Sequence, residues 1–110
     1  MDVRVPFTES LAVTTISVGE LMHGAVKSAR SNENLARLSV LLSKVIVLPY
    51  EMAAARQFGR IKADLERAGS AIGDLDLQIA SIALAYGVPL VTHNQRHFQR
   101  IPGLLIEDWL

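Results

Sequence analysis

The sequence predicts an α/β domain with a mostly parallel β-sheet flanked by helices. Short β-branched apolar runs alternate along the chain with longer segments in which apolar residues recur at helical spacing. Parallel strands need long crossover connections, and the helical segments supply them. The chain has 110 residues, half of them hydrophobic, so we expect residues 1–110 to form a single domain with one core.

Four strands and four helices are predicted. Ser17 and Glu20 have the spacing of a capping box at the start of the first helix, and Gly69 and Gly87 are placed to end later ones. The predicted order is a strand at Leu11–Ile16, helices over Val18–Ala29 and Leu35–Leu42, a buried strand at Val45–Leu48, helices over Glu51–Ala68 and Leu75–Tyr86, and strands at Pro89–Thr92 and Leu104–Ile106.

Composition excludes several classes of function. The 11 basic and 11 acidic residues cancel, so any contact with RNA must be local rather than driven by net charge. The absence of cysteine excludes disulfides, thiolate metal sites and thiol nucleophiles. No apolar run approaches the roughly 20 residues of a membrane span. We expect a cytoplasmic protein with no membrane contact.

Four oxygen-bearing side chains follow predicted strands or begin a predicted helix. Glu20 comes after the first strand, Asp74 and Asp76 begin a helix, and Asn94 follows the strand that ends at Thr92. Ligands bind at the carboxyl ends of strands in such sheets. Oxygen ligands from separate segments suit Mg²⁺ or Mn²⁺.

Two of these acids also have simple structural explanations. A capping-box glutamate explains Glu20, and Asp74 could be the N-cap of its helix. Asp76 differs, because the apolar stripe Ile79, Ala80 and Ala83 lies on its own helical face. A carboxylate that points toward the core needs a cation, a hydrogen-bond donor or a proton.

Basic and histidine side chains are less informative. His93 and His97 have i, i+4 spacing, but no metalloprotease pattern surrounds them, so two surface histidines are favoured over a metal site. A charged solvent face or phosphate binding explains the remaining basic residues equally well. These are Arg56, Arg60, Lys62, Arg96 and Arg100.

Taken together, several motifs resemble the VapC-type toxins of the PIN-domain family. The matching segments are residues 16–24 (ISVGELMHG), 72–80 (IGDLDLQIA), 90–98 (LVTHNQRHF) and the ending 101–109 (IPGLLIEDW). They keep the order and spacing of the family over nearly the whole chain. The resemblance implies a three-layer domain.

The resemblance also implies an activity, a cofactor and partners. It implies an endoribonuclease whose acidic residues hold Mg²⁺ or Mn²⁺, with Glu20, Asp76 and Asp74 as metal ligands and Asn94 where many members have aspartate. Arg96 and Arg100 are the candidates for RNA contact. It further implies inhibition by a VapB-like antitoxin and self-association of the toxin, with exchange of a strand or segment as one possible form.

The front of the chain departs from the family. Only ten residues precede Leu11, so the customary central first strand and its aspartate are expected to be missing. Asp2 follows no apolar run and is not assigned as the missing ligand. Buried backbone groups without hydrogen-bond partners lower the stability of a domain. We therefore expect the place of the missing strand to be filled by the chain's own N-terminus, a segment from a second copy or a separate piece. The alternative function is an inactive remnant that dimerises or binds antitoxin.

Overall fold

The computed structural model describes residues 2–5, 10–91 and 98–107. Within these ranges lies one five-stranded sheet with four helices. The elements are β1 (Asp2–Val5), β2 (Ser10–Thr14), α1 (Thr15–Lys27), α2 (Ser31–Leu42), β3 (Ile46–Leu48), α3 (Met52–Arg67), α4 (Asp74–Tyr86), β4 (Leu90–Val91) and β5 (Ile106–Glu107).

The central place in the sheet is filled by the chain's own N-terminal segment. The strand order is β3-β2-β1-β4-β5, and β1 is antiparallel to both of its neighbours. Val3 lies opposite Ala12 on one side and Leu90 on the other. The β2–β3 and β4–β5 pairs are parallel. The predicted mostly parallel α/β sheet is therefore confirmed, and the first of the three expected ways to fill the gap is the one observed.

Two strand predictions need correction. The first predicted strand ends at Thr14 rather than Ile16, because Thr14 becomes the N-cap of α1 and the helix begins at Thr15. β3 was expected to be buried, but it lies at the edge of the sheet with Ile46 and Val47 exposed and only Leu48 buried. An apolar run of this length does not by itself distinguish a central strand from an edge strand.

The core lies where α3 and α4 pack together against the sheet. Along α4 the buried side chains are nearly continuous, which explains why this helix is apolar on most of its surface. Phe98 is fully buried against the same cluster, just after residues 92–97. The principal core residues are Ala12, Leu48, Ala54, Ile61, Leu65, Leu77, Ile79, Ala80, Ile82, Ala83, Leu90, Phe98 and Ile101.

Helix ends follow the chemistry of capping. Thr14 Oγ1 accepts a hydrogen bond of 3.1 Å from the amide of Ser17, so Thr14 is the N-cap and the predicted capping box at Ser17 is displaced by one turn. The N-cap of α4 is Gly73, and Asp74 is the first helical residue, not the cap. Gly69 and Gly87, with φ of 70° and 65°, follow the ends of α3 and α4 as predicted. No helix in the described part of the chain is long and apolar enough to cross a membrane.

A pair of glycine substitutions tests the end of α4. Gly87→Ala should lower the free energy of unfolding by about 1–2 kcal/mol, because an alanine at φ of 65° is strained. Gly24→Ala, at an exposed site inside α1 with nothing within 4 Å of an added Cβ, should raise it by about 0.5–1 kcal/mol. Urea unfolding measures both changes. Equal effects of the two variants would contradict the assigned backbone conformations.

Candidate active site

Glu20 lies in the second turn of α1, six residues after the N-cap Thr14. Its side chain is exposed, whereas Ser17, one turn earlier, is buried and bonded to Thr14. The Thr14 cap begins α1 directly at the carboxyl end of β2, and ligands bind at the carboxyl ends of strands in α/β folds. The exposed carboxylate of Glu20, on this helix, is accessible to a ligand.

Asp74 and Asp76 occupy the first turn of α4. Negative side chains are favoured there because the unbonded amides of the first turn give the helix a partial positive charge. Asp74 is exposed and Asp76 is half-buried, on the helical face that carries the buried Ile79, Ala80 and Ala83. The predicted orientation of Asp76 toward the core side is confirmed. α4 also contacts α1, so Asp76 and Glu20 are carried by neighbouring helices.

Asp74 is joined to the helix before it. Its Oδ1 accepts a hydrogen bond of 2.9 Å from Lys62 Nζ, an ion pair that links α3 to the start of α4. This hydrogen bond, and then the charge of Asp74, raise the pKa of Lys62, so the lysine stays protonated. The ammonium also lies 5.6 Å from the centre of the Phe58 ring.

Several sequence-predicted residues fall outside the described ranges: Asn94, Arg96, His93 and His97 all lie within residues 92–97. Arg100 is described, and its Nη1 lies 3.5 Å from the carbonyl oxygen of Ala71, in the segment that connects α3 to α4. Arg56 and Arg60 are exposed on α3, and Arg60 bonds to Gln57 of its own helix.

Glu20 and Asp76 are carried by contacting helices, but the described residues do not form a complete metal cage. In residues 2–5, 10–91 and 98–107, no three His, Asp or Glu side chains form a group that could hold a metal ion. A cleft of about 250 Å³ lies at the other end of the α3–α4 pair, between Pro49, Met52, Ala54 and Tyr86. It contains none of the predicted site residues.

Sequence reasoning missed two features of this region. The N-cap of the first helix was assigned to Ser17, whereas Thr14, the last residue of β2, is the cap; Thr14 followed by Ser17 carries a capping signal of its own. The bond between Lys62 and Asp74 joins residues 12 apart on different helices, and no spacing rule predicts it.

Comparison with known proteins identifies the fold. The sequence profile of the PIN domain matches residues 4–104. The chain belongs to the PIN-domain family. This PIN domain is 41% identical over 102 residues to the tRNA(fMet)-specific endonuclease VapC of Salmonella typhimurium, a match that covers 93% of this chain and 77% of the relative. Ribonuclease VapC2 of Rickettsia felis is 35% identical over 100 residues, which cover 91% of this chain and 75% of the relative.

Solved structures agree with the sequence relatives. The crystal structure of DNA-bound VapBC from Salmonella typhimurium superposes on this PIN domain with a TM-score of 0.86 at 41% identity, covering 90% of this chain and 75% of that one. The predicted resemblance to VapC-type PIN domains is therefore confirmed, and so is the α/β fold class.

Proposed function

We propose that this PIN domain, formed by residues 1–110, is a metal-dependent endoribonuclease toxin of a VapBC-type system that acts in the cytoplasm. One observation supports the proposal most directly. Asp76 lies half-buried in the first turn of α4, beside the helix that carries Glu20, in a chain whose relatives are VapC ribonucleases. An inactive remnant is the weaker candidate, because the motif acids Glu20 and Asp76 are both present.

The donor chemistry fits a hard divalent cation. Carboxylate oxygens are the protein ligands that Mg²⁺ and Mn²⁺ prefer, and Mg²⁺ keeps several waters with only one or two carboxylates. Glu20 and Asp76 would hold the ion, with Asn94 as a further oxygen donor. When bound, the ion supplies an activated water for attack on a phosphodiester. Asp74 is assigned an assisting role outside the set of metal ligands, because its carboxylate is already bonded to Lys62.

The proposed partners are RNA, a VapB-like antitoxin and a second copy of the chain. Arg96 and Arg100 remain the predicted contacts to RNA. Apolar side chains exposed on α1 and α2 offer a surface for a protein partner, since exposed groups of this kind mark interaction sites. They are Leu21, Met22, Val26, Val40 and Leu41.

Cleavage assays test the proposed activity. Purified tRNA incubated with the protein should be cut in millimolar Mn²⁺ and left intact in EDTA. Glu20→Gln should lower the cleavage rate by roughly 10 to 100-fold, because the variant loses a charged ligand while keeping the side-chain shape. Initial rates measured on gels give the comparison.

Glu51→Gln is the matched control. Glu51 is an exposed glutamate before α3 and has no side-chain capping bond, so its variant should cleave like the original protein. Cleavage that continues in EDTA would rule out the metal. Equal rates in the two glutamine variants would remove Glu20 from the site, and no cleavage by any protein under any metal would favour the inactive remnant.

A further inference from the structure

The ion pair between Lys62 and Asp74 lies on the surface. The side chains are 39% and 60% exposed, and the two charged atoms are 2.9 Å apart. Exposed ion pairs contribute little to stability, since water and salt weaken the attraction and two side chains lose freedom. The ion pair between α3 and α4 is therefore expected to contribute little to the stability of the fold.

The ammonium of Lys62 is nevertheless held in a defined position. The carboxylate of Asp74 takes one of its three N–H donors, and the ring of Phe58 lies below it at 5.6 Å. Phe58 is in turn fixed by an edge contact with Tyr50, with ring centres 6.5 Å apart. The ammonium is therefore kept at the start of α4, at an exposed position that an anion can reach.

Lys62 is also close to the proposed cleavage site. Its partner Asp74 is two residues from Asp76 in the same helical turn. Arg100 reaches the connection before that turn, at the carbonyl of Ala71. The ion pairs of Arg37 with Glu33 and of Arg67 with Asp64, by contrast, lie within one helix. Two cationic side chains thus approach the segment that leads to Asp76.

We propose that Lys62 binds a phosphate of the RNA beside the scissile one, and that Asp74 pairs with the Lys62 ammonium in the absence of RNA and is replaced by this phosphate. The inference rests on the proposed ribonuclease function. In this proposal Asp74 affects RNA binding through its ion pair with Lys62. Replacing the Asp74 carboxylate by a phosphate should cost little free energy, because Lys62 exchanges one exposed anionic partner for another. The counterions that the RNA releases favour the exchange.

Salt-dependent binding tests the role of Lys62. Affinity for unfractionated tRNA is measured in EDTA, which prevents the proposed cleavage, over a series of NaCl concentrations. Lys62→Gln should weaken binding several-fold and lower the slope of log K against log salt by about 0.7 to 0.9, the value of one phosphate contact. Lys44→Gln, which removes the same charge from the turn after α2, should leave the slope nearly unchanged. Equal slopes for Lys62→Gln and the original protein would overturn the proposal.

A double-mutant cycle tests the role of Asp74. Asp74→Asn should tighten tRNA binding when Lys62 is present, because the competing carboxylate is gone, and should have no effect in the Lys62→Gln background. The variant should also keep any rise in melting temperature that Mn²⁺ produces in the original protein. Weaker tRNA binding by Asp74→Asn, or loss of the Mn²⁺ effect, would overturn the proposed exchange of Asp74 for phosphate.

The two proposals fail in different ways. If Mn²⁺-dependent cleavage is lost in Glu20→Gln while Lys62→Gln keeps its salt slope, the ribonuclease function stands and the role of Lys62 is wrong. If no metal-dependent cleavage occurs with any protein, the proposed function is wrong, whatever the salt slope of tRNA binding.

Discussion

Asp76→Asn is expected to abolish measurable RNA cleavage, with a loss of at least roughly 100-fold. Even groups that only orient metal ligands contribute about 10 to 100-fold to affinity or activity, and Asp76 is proposed to bind the ion itself. The substitution keeps the side-chain size at a half-buried position in the first turn of α4. The fold should therefore survive, and the initial cleavage rate in Mn²⁺ measures the effect.

A second measurement separates metal binding from folding. Millimolar Mn²⁺ should raise the melting temperature of the original protein, because a ligand that binds only the folded state stabilises it, and this rise should vanish in Asp76→Asn. Asp64→Asn is the control, since Asp64 is an exposed α3 carboxylate paired with Arg67. An Asp76→Asn protein that cleaves RNA and responds to Mn²⁺ like the control would exclude Asp76 from the site.

Phe98→Ala is expected to give the largest loss of stability, about 3–5 kcal/mol. Phe98 is fully buried in the core cluster, and its removal combines lost hydrophobic transfer energy with an unfilled cavity. A domain of this size is stable by only about 5–15 kcal/mol, so the variant should unfold at much lower denaturant concentration. Urea unfolding followed by circular dichroism measures the shift in midpoint.

Leu105→Ala provides the comparison for Phe98. Leu105 lies, like Phe98, in the described segment 98–107, but its side chain is 65% exposed. Its truncation should change the free energy of unfolding by less than about 0.5 kcal/mol. A loss below about 1 kcal/mol for Phe98→Ala would contradict the placement of this side chain in the packed core.

The helices were predictable from the sequence because their signals are local. α3 follows an apolar repeat that ends at Gly69, and α4 follows one that ends at Gly87, so periodicity and these two glycines were sufficient to place both helices and their ends. The place of β3 in the sheet was not predictable in this way. Whether Ile46 and Val47 are covered depends on which strand lies beside them, and that is decided by residues far away in the chain.

The candidate site was also predictable only where its signals are local in the sequence. The order and spacing of the motifs around Glu20 and Asp76 led to the family, and Asp76 is half-buried on the helical face on which the sequence placed it. The ion pair of Lys62 with Asp74 could not be anticipated, because it depends on how α3 and α4 pack in three dimensions. The metal-binding role of these residues stays a prediction that the proposed variants test.

β1 runs antiparallel to its neighbours β2 and β4, and this direction affects how quickly the sheet can assemble. Antiparallel neighbours can be joined by a short hairpin, and only residues 6–9 separate β1 from β2. Pairing of strands so near in sequence costs little chain entropy, and hairpins form within microseconds. The centre of the sheet can therefore nucleate from a single local stretch, onto which the slower, distant pairing with β4 is added afterwards.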